Sequence, residues 1–263
     1  MNIIQIIAAY KPAYIYGGPT LSVARLCEKL YPSLKAEGHK LEVLATTANG
    51  SSELNVESGV QATVDGVPVT YFRRITKDHS HFSPSLLAYL RSGLRTNKGY
   101  NLVHIHAWWN FTSLFSCLVA KLNNTPVLLS PRGMLTSYTL GNRNSIYKRW
   151  LHLLLGKRLL QHCHFHATSE KEKRDILSIV NPKSIDVIFN LVNFPSLDPK
   201  NNIHSNSDIF RLLYLSRVEQ KKGIEYLFRA LATLNFDWTL SIAGSGADKY
   251  IAHLKKMAAQ LKI

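Results

Sequence analysis

The sequence predicts an α/β protein built around a largely parallel sheet. Short β-branched or apolar runs bounded by turn residues alternate with helical-period segments, the pattern of βαβ units. A length of 263 residues at 46% hydrophobic content is enough to bury a substantial core. Strands are expected near 3–9, 41–46, 68–73, 101–106, 126–130, 163–167 and 185–189, and helices near 20–37, 84–97, 110–122, 145–161 and 169–179.

The opening run MNIIQIIAAY is Ile-rich and has no basic flank, so it reads as a first buried strand and not as a signal peptide. In the segment after it, Leu21, Ala24, Leu26, Leu30 and Leu34 recur at helical spacing with Arg25, Glu28, Lys29 and Lys35 between them, which gives a helix packed on the sheet. The most apolar later stretch, WLHLLLGKRLL from Trp150, is interrupted by His152, Gly156, Lys157 and Arg158; it suits contact with a membrane surface and is too short to span one. Ser169 and Glu172 form a Ser-x-x-Glu capping box, each side chain serving an orphan backbone donor of the next helix.

Residues 193–208, NFPSLDPKNNIHSNSD, have turn composition and no apolar period, and are expected to link a first domain (1–192) to a second (209–263). The pattern then restarts with a strand FRLLYLS, a helix near 224–234, a strand WTLSIAG and a helix near 247–261. Two βα units cannot bury both faces of a parallel sheet, so this piece is expected to dock on the first domain or to be incomplete.

Thirty-two Lys and Arg against 17 Asp and Glu give a formal charge of +15, which points to an acidic partner. Residues 79–169 contain no Asp or Glu yet carry Arg91, Arg95, Lys98, Lys121, Arg132, Arg143, Lys148, Arg149, Lys157 and Arg158. These cations are dispersed through βαβ units without a recognition motif, which argues against nucleic acid. Cys27, Cys117 and Cys163 lack CxxC spacing and read as small buried hydrophobes in a reducing compartment, hence a cytoplasmic protein.

Ligands of open α/β sheets bind beyond the carboxyl ends of the strands, so the turns there carry the functional candidates. The first, YGGPT, places Gly17 and Gly18 where backbone approaches a ligand closely, ahead of a helix N-terminus that favours an anion. No GxGxxG follows the first strand and no acidic residue stands where a dinucleotide ribose needs one, which argues against an oxidoreductase. VHIHAWWN puts His104 and His106 on one strand face, and with Trp108 and Trp109 suggests a polar and aromatic platform on the acceptor side. SPRGML sets Arg132 at a strand end; taken alone it reads as a solvated loop charge, although guanidinium suits a phosphate or carboxylate. HCHFHAT aligns His162, His164 and His166 on one face in a row that does not converge on an ion, so no metal is expected. In SRVEQKKG, Arg217, Lys221 and Lys222 precede a helix opened by Gly223, a cation group suited to the charge that builds on a diphosphate leaving group. Gly244 and Gly246 in AGSGAD form a second small-residue turn expected on the donor side.

In this order, GGPT, VHIHAWWN, SPRGML, HATSE, SRVEQKKG and LSIAGSG resemble the retaining glycosyltransferases of family 4, over essentially the whole chain. SPRGML is similar to bacterial polysaccharide and lipopolysaccharide enzymes. The resemblance implies a GT-B fold: an N-terminal Rossmann-like domain facing the acceptor, followed by part of a second Rossmann-like domain that holds a nucleotide-sugar donor. It implies Arg217 and Lys222 as catalytic cations on the donor diphosphate, Gly17 and Gly18 as an N-terminal glycine loop that also binds the donor diphosphate, His106 as a catalytic side chain near the reacting sugar, and no cofactor. Ser216 stands where the family has Gly, Gln220 and Lys221 replace Pro-Glu, and FNLVN at 189–193 keeps only Asn190 of a Pro-Asn-Gly turn. The family's Glu-x7-Glu segment and base-binding loop have no counterpart before Ile263. The expected reaction moves a sugar with retention to a glycan or lipid-linked acceptor at the inner face of an anionic membrane. The competing readings are a truncated, inactive acceptor-binding fragment and a GT-B nucleotide-sugar epimerase.

Overall fold

The computed structural model describes residues 1–95, 99–136, 156–192 and 209–263. The chain divides into two compact units, Met1–Asn193 and Phe194–Ile263. The expected linker 193–208 and most of the expected helix 145–161, including Arg143, Tyr147, Lys148, Arg149 and Trp150, lie outside the described residues, as does Lys98.

The first unit contains β1 (Ile3–Ala9), β2 (Leu41–Thr46), β3 (Ala48–Asn49), β4 (Ser52–Glu53), β5 (Gln61–Val64), β6 (Val67–Phe72), β7 (Leu102–His106), β8 (Val127–Ser130), β9 (His164–Ala167) and β10 (Ser184–Val187). Its helices are α1 (Gly18–Ala36), α2 (Pro84–Arg95), α3 (Phe111–Leu122), α4 (Lys157–Leu160) and α5 (Glu170–Leu177). Eight strands form one sheet in the order β10-β9-β8-β7-β1-β2-β6-β5, parallel except for β5 against β6. The order reverses between β1 and β7, the position where an open α/β sheet leaves a crevice at its carboxyl edge.

Side-chain alternation gives the sheet two cores. Ile4, Ile6, Val103, Ile105, Leu129 and Phe165 face α2 and α3. Ile7, Val43, Ala45, Val69 and Tyr71 face α1. Every residue of β1 is buried, which is why that strand reads as an unbroken apolar run. The α1 stripe is rotated from the expected one: Thr20, Val23, Ala24 and Cys27 are buried, whereas Leu21 and Leu26 are only half-buried. Small side chains let the helix lie close to the sheet, and the leucines pack along its flanks.

Three short strands, β3, β4 and β5, escaped the sequence reading because they are two to four residues long, and β4 and β5 are largely exposed. The β3–β4 hairpin is held by the buried Arg74, which donates to Glu53, to the carbonyls of Gly50 and Ser52, and to His81 Nδ1. Cys117 and Cys163 meet at 3.5 Å inside the core, and all three cysteines are free and buried.

The second unit pairs β11 (Phe210–Leu215) with β12 (Trp238–Ala243) in parallel, with α6 (Ile224–Leu231) and α7 (Asp248–Leu261) following them. Val218, Ile224, Phe228 and Leu254 form its small core. On the opposite side of the strand pair Leu213 and Leu215 are 69% and 78% exposed. Among the described residues no helix is long and apolar enough to cross a membrane.

Candidate functional site

In the first unit the candidates gather at the crevice between β1 and β7. A short 3-10 turn, Tyr14–Tyr16, leads into Gly17, whose φ of +67° is the left-handed region that glycine tolerates, and α1 begins at Gly18 with no side-chain cap. A methyl group placed on either glycine would meet nothing within 4 Å. Both therefore border open space at an uncapped helix N-terminus. Thr20 Oγ1 donates to the Ala9 carbonyl at 3.3 Å and fixes this helix start to the end of β1.

His104 and His106 share a face as the alternation requires, their rings 4.1 Å apart. His166 Nε2 faces the Ile188 carbonyl at 2.7 Å, an acceptor only, so that nitrogen carries the hydrogen. His166 Nδ1 then accepts from the Ser130 hydroxyl at 2.9 Å, and Ser130 Oγ accepts from His104 Nε2–H at 2.8 Å. At His106, Arg132 Nε donates to Nδ1 at 3.4 Å, leaving Nε2–H to donate to Gln5 Oε1 at 2.7 Å. His106 thus has both ring nitrogens engaged by the protein. Burial holds the imidazoles of His104 and His106 well below the usual histidine range, and the neighbouring His and Arg132 charges push the same way. Both are neutral at physiological pH.

The structure overturns the solvated reading of Arg132. Its guanidinium also donates from Nη1 to Ser22 Oγ at 2.9 Å and to Asn190 Oδ1 at 2.8 Å, joining the first turn of α1 to the loop after β10. Burial lowers its pKa to about 10 against the opposing field of Glu172, so it stays protonated. Arg132 has φ of +53° and Gly133 +75°, and Ala107 just after His106 has +69°. Non-glycine residues rarely hold that region without a local restraint. One such restraint is Glu172, whose carboxylate accepts from Gly133 N–H at 2.7 Å.

This corrects the capping box. Ser169 Oγ does accept from Glu172 N–H at 3.1 Å, but the carboxylate serves Thr168 N–H and the Thr168 hydroxyl, each at 2.7 Å, and the Gly133 amide. The Trp platform is also revised: Trp108 is a core side chain, 1% exposed, and Trp109 Nε1 donates to the Met134 carbonyl. His162 lies in the turn before β9, so only His164 and His166 share that strand, and no group of three metal-ligating side chains occurs among the described residues. Gln5, Ser22, Ser130, Glu172 and Asn190 escaped the sequence reading as members of the site. The signals present were the polar Gln5 inside an otherwise apolar strand, Glu172 in the capping motif, and Asn190 as the retained residue of the family's Pro-Asn-Gly turn.

In the second unit Arg217 Nη1 and Lys221 Nζ both contact the Glu219 carboxylate, each at 2.9 Å. Those cations hold the Glu219 carboxyl below its usual range, the Lys221 hydrogen bond foremost. Lys222 is exposed and makes no ion pair among the described residues. Gly223, in the left-handed region at φ +68°, ends a 3-10 turn over Gln220–Lys222 and begins α6. The Gly244 and Gly246 turn runs beside the Ser216–Val218 chain, with Val218 N–H donating to the Ser245 carbonyl at 2.8 Å. A Cβ would stand 1.9 Å from the Ser216 oxygen at Gly244 and 2.1 Å from the Val218 oxygen at Gly246. Backbone-to-backbone contact therefore suffices to require glycine at both positions.

A profile of Glycosyltransferase Family 4 matches residues 23–194. An uncharacterized glycosyltransferase, MJ1607 of Methanocaldococcus jannaschii, is 23% identical over 94% of this chain, and the chain spans 63% of that relative's length. Among solved structures, sucrose-phosphate synthase from Thermosynechococcus elongatus matches with a TM-score of 0.63 at 17% identity, over 100% of this chain and 68% of its own. Anabaena Alr3699/HepE in complex with UDP matches with a TM-score of 0.66 at 15% identity, over 100% and 66%. These likenesses show the fold, which is that of the GT-B glycosyltransferases: a Rossmann-like first unit followed by two βα units in the second.

Proposed function

This chain belongs to Glycosyltransferase Family 4, and from that premise we propose that the protein transfers a sugar, with retained configuration, from a nucleoside-diphosphate donor to a glycan or lipid-linked acceptor in cell-surface polysaccharide synthesis. The observation that carries this is the cation loop after β11, where Arg217, Lys221 and Lys222 lie within six residues of chain, the first two sharing the carboxylate of Glu219 and Lys222 exposed without an ion pair among the described residues. In the reaction the bond between the anomeric carbon and the diphosphate oxygen breaks and the diphosphate keeps the electron pair. The acceptor oxygen bonds to the same carbon and releases its proton. Arg217 and Lys222 stabilise the charge gained by the leaving diphosphate, which is greatest in the transition state.

The first unit serves the acceptor side in this reading. Arg132 is its cation that meets the acceptor, while the open Gly17–Gly18 turn offers backbone access to the donor diphosphate. His106, with both nitrogens engaged, is a positioning residue that holds Arg132. The acid-free, basic stretch 79–169 supports an acceptor presented at an anionic membrane face.

The test is equilibrium binding of UDP to this chain. A charge-assisted hydrogen bond contributes about 1.5–3 kcal/mol, so Arg217→Ala is expected to weaken UDP binding about 10- to 100-fold. Where donor hydrolysis is measurable it should fall at least as much. Unchanged affinity and turnover in Arg217→Ala would sink the assignment.

A further inference from the structure

Arg132 is a half-buried cation of the first unit that makes no ion pair among the described residues. All of its hydrogen bonds go to neutral acceptors: His106 Nδ1, Ser22 Oγ and Asn190 Oδ1. The carboxylate whose field it feels, Glu172, is spent on the Gly133 and Thr168 amides and the Thr168 hydroxyl. Those bonds use Nε and both hydrogens of Nη1. Nη2 keeps its two hydrogens without a protein partner among the described residues.

Burying a charge is costly unless an opposite charge or a full set of hydrogen bonds compensates it. Here the compensation comes from three neutral acceptors and from the field of Glu172, while residues 79–169 contribute no Asp or Glu. The geometry is nevertheless well restrained. Arg132 is held in the left-handed region, its turn is pinned by Glu172, and its guanidinium is fixed from three directions by β7, α1 and the loop carrying Asn190. Through Ser22 it is tied to the helix start that follows the open Gly17–Gly18 turn. A preorganised guanidinium with one spare nitrogen is suited to an oxyanion, to which planar N–H pairs donate with fixed geometry.

Resting on the glycosyltransferase reading above, we infer that Arg132 is an oxyanion-recognition residue and that the acceptor is an anionic sugar, carrying a phosphate or a carboxylate that accepts from Arg132 Nη2. A neutral sugar would offer Nη2 only an uncharged acceptor, and so a weaker hydrogen bond.

The experiment is calorimetric titration of this chain with glucose 6-phosphate, glucuronate, glucose and UDP, repeated with Arg132→Gln, Arg132→Lys and Arg217→Ala. Binding of glucose 6-phosphate or glucuronate, with glucose at least tenfold weaker, is expected; whichever of the two binds identifies the group as phosphate or carboxylate. Arg132→Gln should lose that preference for the charged sugar, Arg132→Lys should keep a weaker one, and UDP affinity should respond to Arg217→Ala instead. Glucose binding as tightly as both charged sugars, or neither charged sugar binding while UDP does, overturns the inference and leaves the glycosyltransferase reading standing. Equal weakening of UDP and the charged sugar in Arg132→Lys, with mutual displacement, assigns the anion to the donor and overturns the acceptor claim. Absence of UDP binding, with a charged sugar still bound through Arg132, would overturn the donor reading alone. Thermal midpoints of the variants within a few degrees of the parent show that the affinities compare folded proteins, and Arg132→Lys keeps the test open if Arg132→Gln does not fold.

Discussion

Replacing Glu172 with glutamine isolates the restraint on the Arg132 turn. Glu172 is 6% exposed, and its carboxylate accepts from Gly133 N–H, Thr168 N–H and the Thr168 hydroxyl, each at 2.7 Å. Glutamine has a single acceptor oxygen, and its NH2 can donate to the hydroxyl but not to a backbone N–H. One of the two amides therefore faces a donor. A hydrogen bond to a charged group contributes about 1.5–3 kcal/mol, so the local loss is about 2 kcal/mol. At about 1.4 kcal/mol per tenfold, amide exchange at Gly133 or Thr168 should accelerate roughly 30-fold in Glu172→Gln. Residue-resolved hydrogen exchange on the full chain reads this directly, with Ile4 and Ile6 of β1 as internal references. Wild-type protection at both amides in Glu172→Gln would refute the claim that this carboxylate restrains the turn.

Protonation gives a second expectation. His81 is held neutral by burial and by Arg74, its pKa down to about 4, and His104 and His106 are likewise depressed. The unfolded chain binds their protons below about pH 6.5 while the folded chain does not, so this stability is fully present above that pH. It is lost as pH falls from about 6.5 toward 4, by about 1.4 kcal/mol per pH unit for each such histidine. The thermal midpoint should fall across that range, less steeply in His81→Gln; a flat profile from pH 6.5 to 5 would refute it. Gly246→Ala places a methyl 2.1 Å from the Val218 oxygen and should destabilise the second unit by about 1–3 kcal/mol. Exchange in β12 would accelerate and UDP affinity would fall with it; weakened UDP binding without faster exchange would instead make Gly246 a ligand contact.

The sheet was readable from the sequence because its strands are buried on both faces and therefore appear as continuous apolar runs, β1 most plainly. The α1 stripe was misplaced because Thr20 and Cys27 count as weakly hydrophobic by type, yet it is their small size that brings the helix close. At the site, the strand-end residues His106 and Arg132 were found by position alone. What surrounds them was not, since Gln5 and His106 are 101 residues apart, Arg132 and Ser22 110, and Gly133 and Glu172 39. Contacts at those separations depend on strand order, and nothing in local spacing encodes the reversal between β1 and β7. Glu172 shows the effect at short range: its distance from Ser169 satisfies the capping motif, but the docking of β8 beside β9 diverts the carboxylate to Gly133.

The two cation groups are neutralised in opposite ways, and the difference bears on what each can bind. Arg217 and Lys221 are exposed and share Glu219, an arrangement in which solvent and mobile side chains make each pair weak. A ligand with several negative charges can take both cations from Glu219 at little cost, which suits a diphosphate that must be bound, stabilised as it leaves and then released. Arg132 is half-buried, tied by hydrogen bonds to three elements and paired with neutral acceptors. It reorganises little on binding, so the gain depends on an anion placed at one position, as recognition of a particular acceptor demands.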